Sequence, residues 1–483
     1  MLFEDKIYYK QVAKLTATIG MLIVLCHYTG GAACWIPAIM GTIWAVSKQG
    51  AKALCCLILL PLFTELNPVI SNCHGTVFSL AVRLGPLIIG LLLFLVSSSR
   101  KVSSVPICLF LIYLPVAFIS SLNGYAPIIS CLKLINFLVF IIALWLGSKC
   151  LSCNMQDVYF VRALIMSICV IIIVGSFVLI PFPGVSELSA KSLIKEGMTI
   201  EEANTIIRQS AQEGLFCGIT NQSQTLGPIL GLCIGWLLSD MVFVMKRFTK
   251  LHSLLIILSL PMLLYTRSRC ALLVAVSAVF MVLFYAARRI RIPTYLKIRL
   301  KHGIYLSLLL LVIFGFVLEI RNNTFSRWIR KTDDVVGDDR SMVEAVTNSR
   351  MGKVEESLYD FRQSPMFGMG FQVSYTTKLW YGDGFVLSAP IEKGVIPTMI
   401  LGETGVVGLI VFIFIMIGFY LSCGQKHCYV TYALFITFFM ANMGEATFFS
   451  PGGSGGILWM ISILGGYAID CAVEKNKNLV FLP

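Results

Sequence analysis

Apolar runs follow one another along this chain almost without interruption, each roughly 15 to 24 residues long and close to the ~20 that a helix needs to cross a ~30 Å hydrocarbon core. About fourteen such runs are centred near residues 20, 39, 59, 87, 113, 136, 170, 232, 258, 278, 311, 408, 436 and 464. The alternating strands of about ten residues that a closed membrane barrel requires are absent from the pattern. The expected fold class is therefore all-α, a polytopic transmembrane helical bundle. Near its end the pattern breaks. A polar island, Arg321 to Val395, separates the eleventh run from the twelfth and predicts one large loop on one face.

Composition narrows this picture. With 57% hydrophobic and 13% charged residues the chain is excluded from the soluble globular class. Basic residues mark every second connection: Lys6 to Lys14, Lys48 and Lys52, Arg100 and Lys101, Lys149, Lys246 to Lys250, Arg288 to Lys301, Lys426, and Lys475 and Lys477. They predict one cytoplasmic face with both termini on it. The net charge of +13 is thus a topology signal in short loops, and no nucleic-acid partner is expected. The basic stretch RRIRIPTYLKIRLK (Arg288 to Lys301) reads first as part of the same topology signal, and it could also touch anionic membrane lipid. Glu4 and Asp5 among the first lysines, with no small-residue cleavage site after the first run, predict a retained first span.

The chain then divides into N-terminal spans (residues 1–181), an outward loop (182–220), further spans (221–320), the large loop (321–395) and three final spans (396–483). The 182–220 loop carries a capping box at Thr199 and Glu202 that predicts an amphipathic helix ending at Gly214. Residues 65–76, ELNPVISNCHGT, form a smaller outward connection, and YTRSRCALL (Tyr265 to Leu273) a very tight one. The last places Arg267 and Arg269 at the membrane boundary, where charge is expensive and by default functional. Arg83 and Lys133, inside predicted spans, raise the same question. In the island, Met351, Val354, Leu358 and Phe361 recur at helical spacing, with Arg350 at the expected helix start and Pro365 ending it. Asp333, Asp334, Asp338 and Asp339 read first as a solvated face and could also bind a hard cation.

Most of the 16 cysteines lie in apolar runs and behave as small hydrophobes. The CxxC at Cys150 and Cys153 has no partner pair, so no metal site is expected. Cys73 and Cys217 fall near the outward face and could pair there if their geometry allows.

Four segments carry a resemblance. LFCGITNQSQTLGP (Leu215 to Pro228) contains Gly218, Asn221, Leu226 and Gly227; TRSRCALL (Thr266 to Leu273) contains a Ser-Arg pair; Arg350 is followed by Pro365, Gly368 and Gly370; and ILGETGVVGL (Ile400 to Leu409) contains Glu403, Gly405 and Gly408. In order and spacing they resemble the O-antigen ligase family, integral membrane glycosyltransferases that include O-antigen ligases, polysaccharide polymerases and protein O-oligosaccharyltransferases. The likeness covers roughly residues 210–420. It implies a GT-C-like bundle in the bacterial inner membrane, with a periplasmic loop between spans eleven and twelve. It also implies a polyprenyl-diphosphate-linked oligosaccharide donor, an acceptor glycan or lipid A-core, other polysaccharide-assembly proteins as partners, and no cofactor.

Arginine forks suit a leaving diphosphate because they bind phosphate oxygens bidentately. Arg269, Arg350 and Arg267 are the candidates, with Lys393 as a point charge. Glu392 is the candidate base or orienting group for an acceptor hydroxyl, Glu403 the second. Asn221, Gly227, Gly368, Gly370, Gly405 and Gly408 are expected to build the frame. One departure stands out: where ligases of the family carry a histidine, this chain has Gly394 and Val395. That favours polymerase over ligase. The rival class is a lipid-linked glycan flippase, against which stands the lack of an internal repeat.

Overall fold

The computed structural model describes residues 2–71, 73, 75–97, 104–153, 155–186, 215–247, 249–289, 342–374, 395–444 and 446–480. The described residues are mostly helical and include no strand; a single antiparallel bridge joins Leu66 to Thr220. In chain order the main helices are α1 (Leu2–Tyr28), α2 (Trp35–Val46), α3 (Gly50–Glu65), α4 (Gly75–Ser97), α5 (Tyr113–Leu122), α6 (Pro127–Cys153), α7 (Met155–Val178) and α8 (Ser223–Ser239). They continue as α9 (Lys250–Tyr265), α10 (Arg269–Arg289), α11 (Met342–Gln363), α12 (Ile396–Gln425), α13 (Tyr429–Ala441), α14 (Ser454–Met460) and α15 (Gly466–Val480). Thirteen of the fourteen apolar runs lie on these helices and on the short π-helical segment Ile461–Gly465 that links α14 to α15, and among the described residues seven helices are long and apolar enough to cross a membrane. The run near residue 311, the amphipathic segment 199–214 and the acidic cluster Asp333 to Asp339 lie outside the described residues.

The spanning helix α12 is apolar on both faces, which is the mark of a bundle in lipid. On α12, Phe412, Ile415 and Phe419 are buried, while Ile410, Ile413, Phe414, Ile417 and Leu421 point outward, Phe414 with 69% of its surface open. Between helices, small residues set the distance. Gly227, Gly231 and Gly235 form a four-residue repeat along α8 whose backbone rests on Ala271, Val274 and Ala278 of α10; a Cβ on each glycine would come within 2.6, 2.8 and 2.8 Å of them. Such close backbone approach is what holds helices together where lipid removes the hydrophobic drive.

The hairpin turns close with residues in the left-handed region: Lys48, Lys246, Arg267 and His427 all have φ between 46° and 60°. Their bonds also sort the connections into two ends. At one end Lys426 reaches the Ser104 carbonyl oxygen (2.8 Å) and Cys150 lies against Gly50. At the other, the Asn67 amide donates to Ile219 (2.8 Å), the Tyr125 amide to Met369 (3.1 Å) and the Thr64 hydroxyl to Gly452 (3.0 Å). Each bond joins connections that the Lys and Arg pattern assigns to one side.

Candidate functional site

Two of the motif segments meet. Regular helical pairing in α12 would send the Val406 amide to Gly402 and the Val407 amide to Glu403. Gly405, at φ 66° and ψ −165°, breaks that ladder inside the helix. Val406 donates instead to Pro365 (2.9 Å) and Val407 to Met366 (3.3 Å), while the freed carbonyls of Gly402 and Glu403 accept from Met369 (2.9 Å) and Gly370 (3.1 Å). The loop Ser364–Phe371 is thereby joined to the helix by four backbone bonds, and the two amides and two carbonyls that the break frees are each paired.

The glycines make the approach possible. Gly368 and Gly405 both have positive φ, and a Cβ on Gly368 would overlap the Glu403 backbone, one on Gly405 the Met366 carbonyl. Gly402 lies against Ser357 of α11. Gly408 leaves room for the Thr404 side chain, whose hydroxyl meets Tyr113 Oη at 2.8 Å. Glu403 itself is buried in this seam.

Hydroxyls of α5 and α6 continue it. The Gly370 amide donates to Ser120 Oγ (3.0 Å), the Ser120 hydroxyl donates to the Glu403 carbonyl, and Ser130 Oγ lies 2.8 Å from the Phe371 carbonyl oxygen. Lys133 Nζ donates to the Gln372 carbonyl oxygen (2.9 Å), so this intramembrane cation serves the same loop. Below it, the buried Phe371 ring is received by Tyr113, Phe137 and Phe449, with centroids 6.5, 5.9 and 5.3 Å away. Between α5 and α6 an apolar cavity of about 440 Å³ opens, lined among others by Leu114, Phe118, Leu134 and Leu138.

The other two segments also meet. Asn221 follows the Leu66–Thr220 bridge; its amide donates to Glu65 (2.8 Å) and its side-chain amide lies 3.5 Å from the Thr64 carbonyl oxygen. Gly227, one turn into α8, rests on Ser268 and Ala271. Ser268 is buried ahead of Arg269, the first residue of α10, and Arg267 occupies the left-handed turn before it. Both arginines are half-buried.

Residues 442–444 and 446–454, which sequence reading did not single out, stand between the two groups. Gly444 lies against Cys270, the Ile396 amide donates to Asn442 (3.2 Å), the Gln372 side chain donates to Phe449, and Gly453 lies beside the Glu65 carboxylate. Its only sequence signal is the glycine-rich turn SPGGSGG (Ser450 to Gly456).

Other placements differ from expectation. The α11 helix begins at Met342, so Arg350 lies in its third turn and not at its start; Thr347, Asn348 and Ser349, residue types that favour helix caps, lie inside the helix. The side chain of Arg350 and all of Glu392 and Lys393 lie outside the described residues. Cys73 does not approach Cys217: the Cys217 thiol donates to the Ser186 carbonyl (2.9 Å), while Cys73 joins Cys26 and Cys34. Arg83 is exposed on α4.

Sequence reading also missed a charged cluster at the other end of the bundle. Arg162 on α7 pairs with Asp240 at the end of α8 (2.7 and 2.8 Å), His252 Nε2 lies 3.1 Å from the second carboxylate oxygen, and the Tyr8 ring covers the guanidinium at 5.0 Å. All four side chains are buried.

Comparison with known proteins finds no family model and no curated protein that matches this chain.

Proposed function

We propose that this chain is a membrane glycosyltransferase of surface-polysaccharide assembly that polymerises glycan from a polyprenyl-diphosphate donor at the periplasmic face. The observation that carries the reading is the exchange of backbone bonds between Ser364–Phe371 and Gly402–Val407. These are two of the segments on which the family resemblance rests, and they are far apart in sequence. The other two, at Asn221–Gly227 and Ser268–Arg269, pack on each other and border the same 442–454 connection.

In this reading an acceptor hydroxyl attacks the anomeric carbon of the donor as the bond from that carbon to the diphosphate oxygen breaks. The hydroxyl proton passes to Glu392, and the departing diphosphate takes the bonding electrons. Arg269, Arg267 and Arg350 offset its charge, with Lys393 beside them, in the manner of fixed cations aimed at developing charge. The lipid tail of the donor lies in the bilayer.

Deletion of the gene, complemented with wild type, Arg269→Ala, Arg350→Ala or Glu392→Gln, tests this on a surface-glycan gel. The expected result is a lost ladder with a single repeat retained on lipid A-core. Loss of all attached glycan with free lipid-linked polymer would make the chain a ligase. Wild-type ladders from all three variants would remove the catalytic reading, and accumulation of unflipped lipid-linked repeat would point to a flippase.

A further inference from the structure

Three cysteines from three separate segments converge beside the α1–α2 turn. Cys26 sits in the last turns of α1, Cys34 in the 3-10 turn Ala32–Cys34, and Cys73 in the connection between α3 and α4. Their sulfurs all lie within 4.8 Å of one another, and those of Cys26 and Cys34 are 3.5 Å apart. Cys26 and Cys34 are fully buried; Cys73 is half-buried, with its thiol 3.3 Å from the Ser71 carbonyl oxygen, and gives the cluster an open side.

The backbone is shaped around this cluster. Gly30 and Gly31 have φ of 58° and 87°, turning the chain sharply so that Cys34 returns under Cys26. A Cβ on Gly31 would stand 3.2 Å from Cys73 Cα, so the bare backbone there lets the third segment close on the turn. A disulfide would use two sulfurs and leave the third without purpose, whereas a triangle of three matches a metal ion. With metal–sulfur bonds of about 2.3 Å, three sulfurs around a common centre lie about 4 Å apart, inside the limits seen here.

We propose that Cys26, Cys34 and Cys73 form a trithiolate site for a thiophilic d10 ion, zinc(II) or copper(I). Soft thiolates select these two ions over magnesium, calcium or manganese. The ion enters from the Cys73 side, and each thiol that becomes a ligand releases its proton to solvent. Bound there, it staples the α1–α2 turn to the connection whose first residues pair with Ile219 and Thr220.

Full-length protein purified in detergent with a phosphine reductant, loaded separately with zinc sulfate or with copper(I) and then desalted, tests the site. The expected result is about one retained ion per chain, with an X-ray absorption shell of three sulfurs at about 2.3 Å. Zinc retained without copper, or the reverse, names the ion. Cys34→Ser and Cys73→Ser should each lower retention at least about tenfold, and Cys423→Ser, at a distant buried thiol, should leave it unchanged. Cys73→Ser replaces a half-buried side chain, so its folding can be checked by size exclusion before the metal is counted. Retention of neither ion by wild type, retention that survives Cys34→Ser, or a Cys26–Cys34 disulfide that forms equally with and without metal would each overturn the proposal.

Discussion

The Gly370 amide donates to the Glu403 carbonyl oxygen across 3.1 Å, in place of the Val407 amide that regular helical pairing would bring there. A polar loop and a membrane helix thus complete each other's backbone bonding. Neither segment is satisfied alone, because an unpaired peptide group inside a bundle costs several kcal/mol.

Alanine at Gly368 or Gly405 should therefore break the junction. Each position has a left-handed φ, and a Cβ would overlap main-chain atoms that cannot move aside. Left-handed strain of about 1–2 kcal/mol and overpacking of about 1–3 kcal/mol predict a total loss of about 2–5 kcal/mol. Gly352→Ala, on the exposed side of α11 with nothing within 4 Å, should be neutral or stabilising by up to about 1 kcal/mol. Thermal unfolding of the three variants in detergent checks this; equal melting points would mean that the junction does not matter to stability.

Phe371 should prove to be the loop's anchor. Its ring is fully buried among Tyr113, Phe137 and Phe449. Phe371→Ala should destabilise by about 3–5 kcal/mol, and Phe371→Leu by clearly less, because the pocket keeps most of its apolar filling. Denaturant unfolding followed by tryptophan fluorescence would show the order, and a Leu variant as weak as Ala would count against a packing role.

What the sequence made legible follows from its physics. Apolar runs and basic turns reveal where helices lie and which connections share an end, so the Asn67–Ile219 and Tyr125–Met369 contacts fall where the charge pattern puts them. The glycines of GMGF and ETGVVG announced unusual backbone, yet nothing in their order says that one segment bonds to the other. Such pairing is a tertiary fact. Single charges within apolar runs are similarly mute: Arg162 and Asp240 lie 78 residues apart, and only folding brings them together. The start of α11 lies upstream of the expected one because Thr347, Asn348 and Ser349, just before Arg350, are cap-forming residue types that here sit inside the helix.

The Arg162–Asp240 pair should behave as a buried ion pair, costly to halve and tolerant of joint removal. Asp240→Asn leaves the guanidinium without its counter-charge and should cost about 3–5 kcal/mol, as should Arg162→Met. The double variant Arg162→Met with Asp240→Leu should recover most of that loss, because both charges then leave together. His252→Ala should cost less, since the Arg162 contact with Asp240 remains. A double-mutant cycle on melting temperature reads the coupling; strictly additive losses would show that the two side chains do not act as a unit.

Lys133 reaches the Gln372 carbonyl oxygen at 2.9 Å from inside α6, and Gln372 holds a left-handed φ of 54°. A cation placed there gives the turn after GMGF a charge-assisted bond in a site that water does not easily reach. Lys133→Met keeps the length of the side chain but removes the donor, leaving the carbonyl unsatisfied at a cost of about 1–3 kcal/mol. The effect should be local: amide hydrogen exchange at residues 369–374 should accelerate, while exchange in the α8–α10 seam stays unchanged. In the complementation assay the same variant should shorten or weaken the glycan ladder without lowering the amount of protein in the membrane, because the segment joined to the Glu403 motif of α12 has lost a tether. Unchanged exchange at residues 369–374 would show that the loop is held by its backbone bonds to α12 and by Phe371 alone, and that Lys133 is there for another reason.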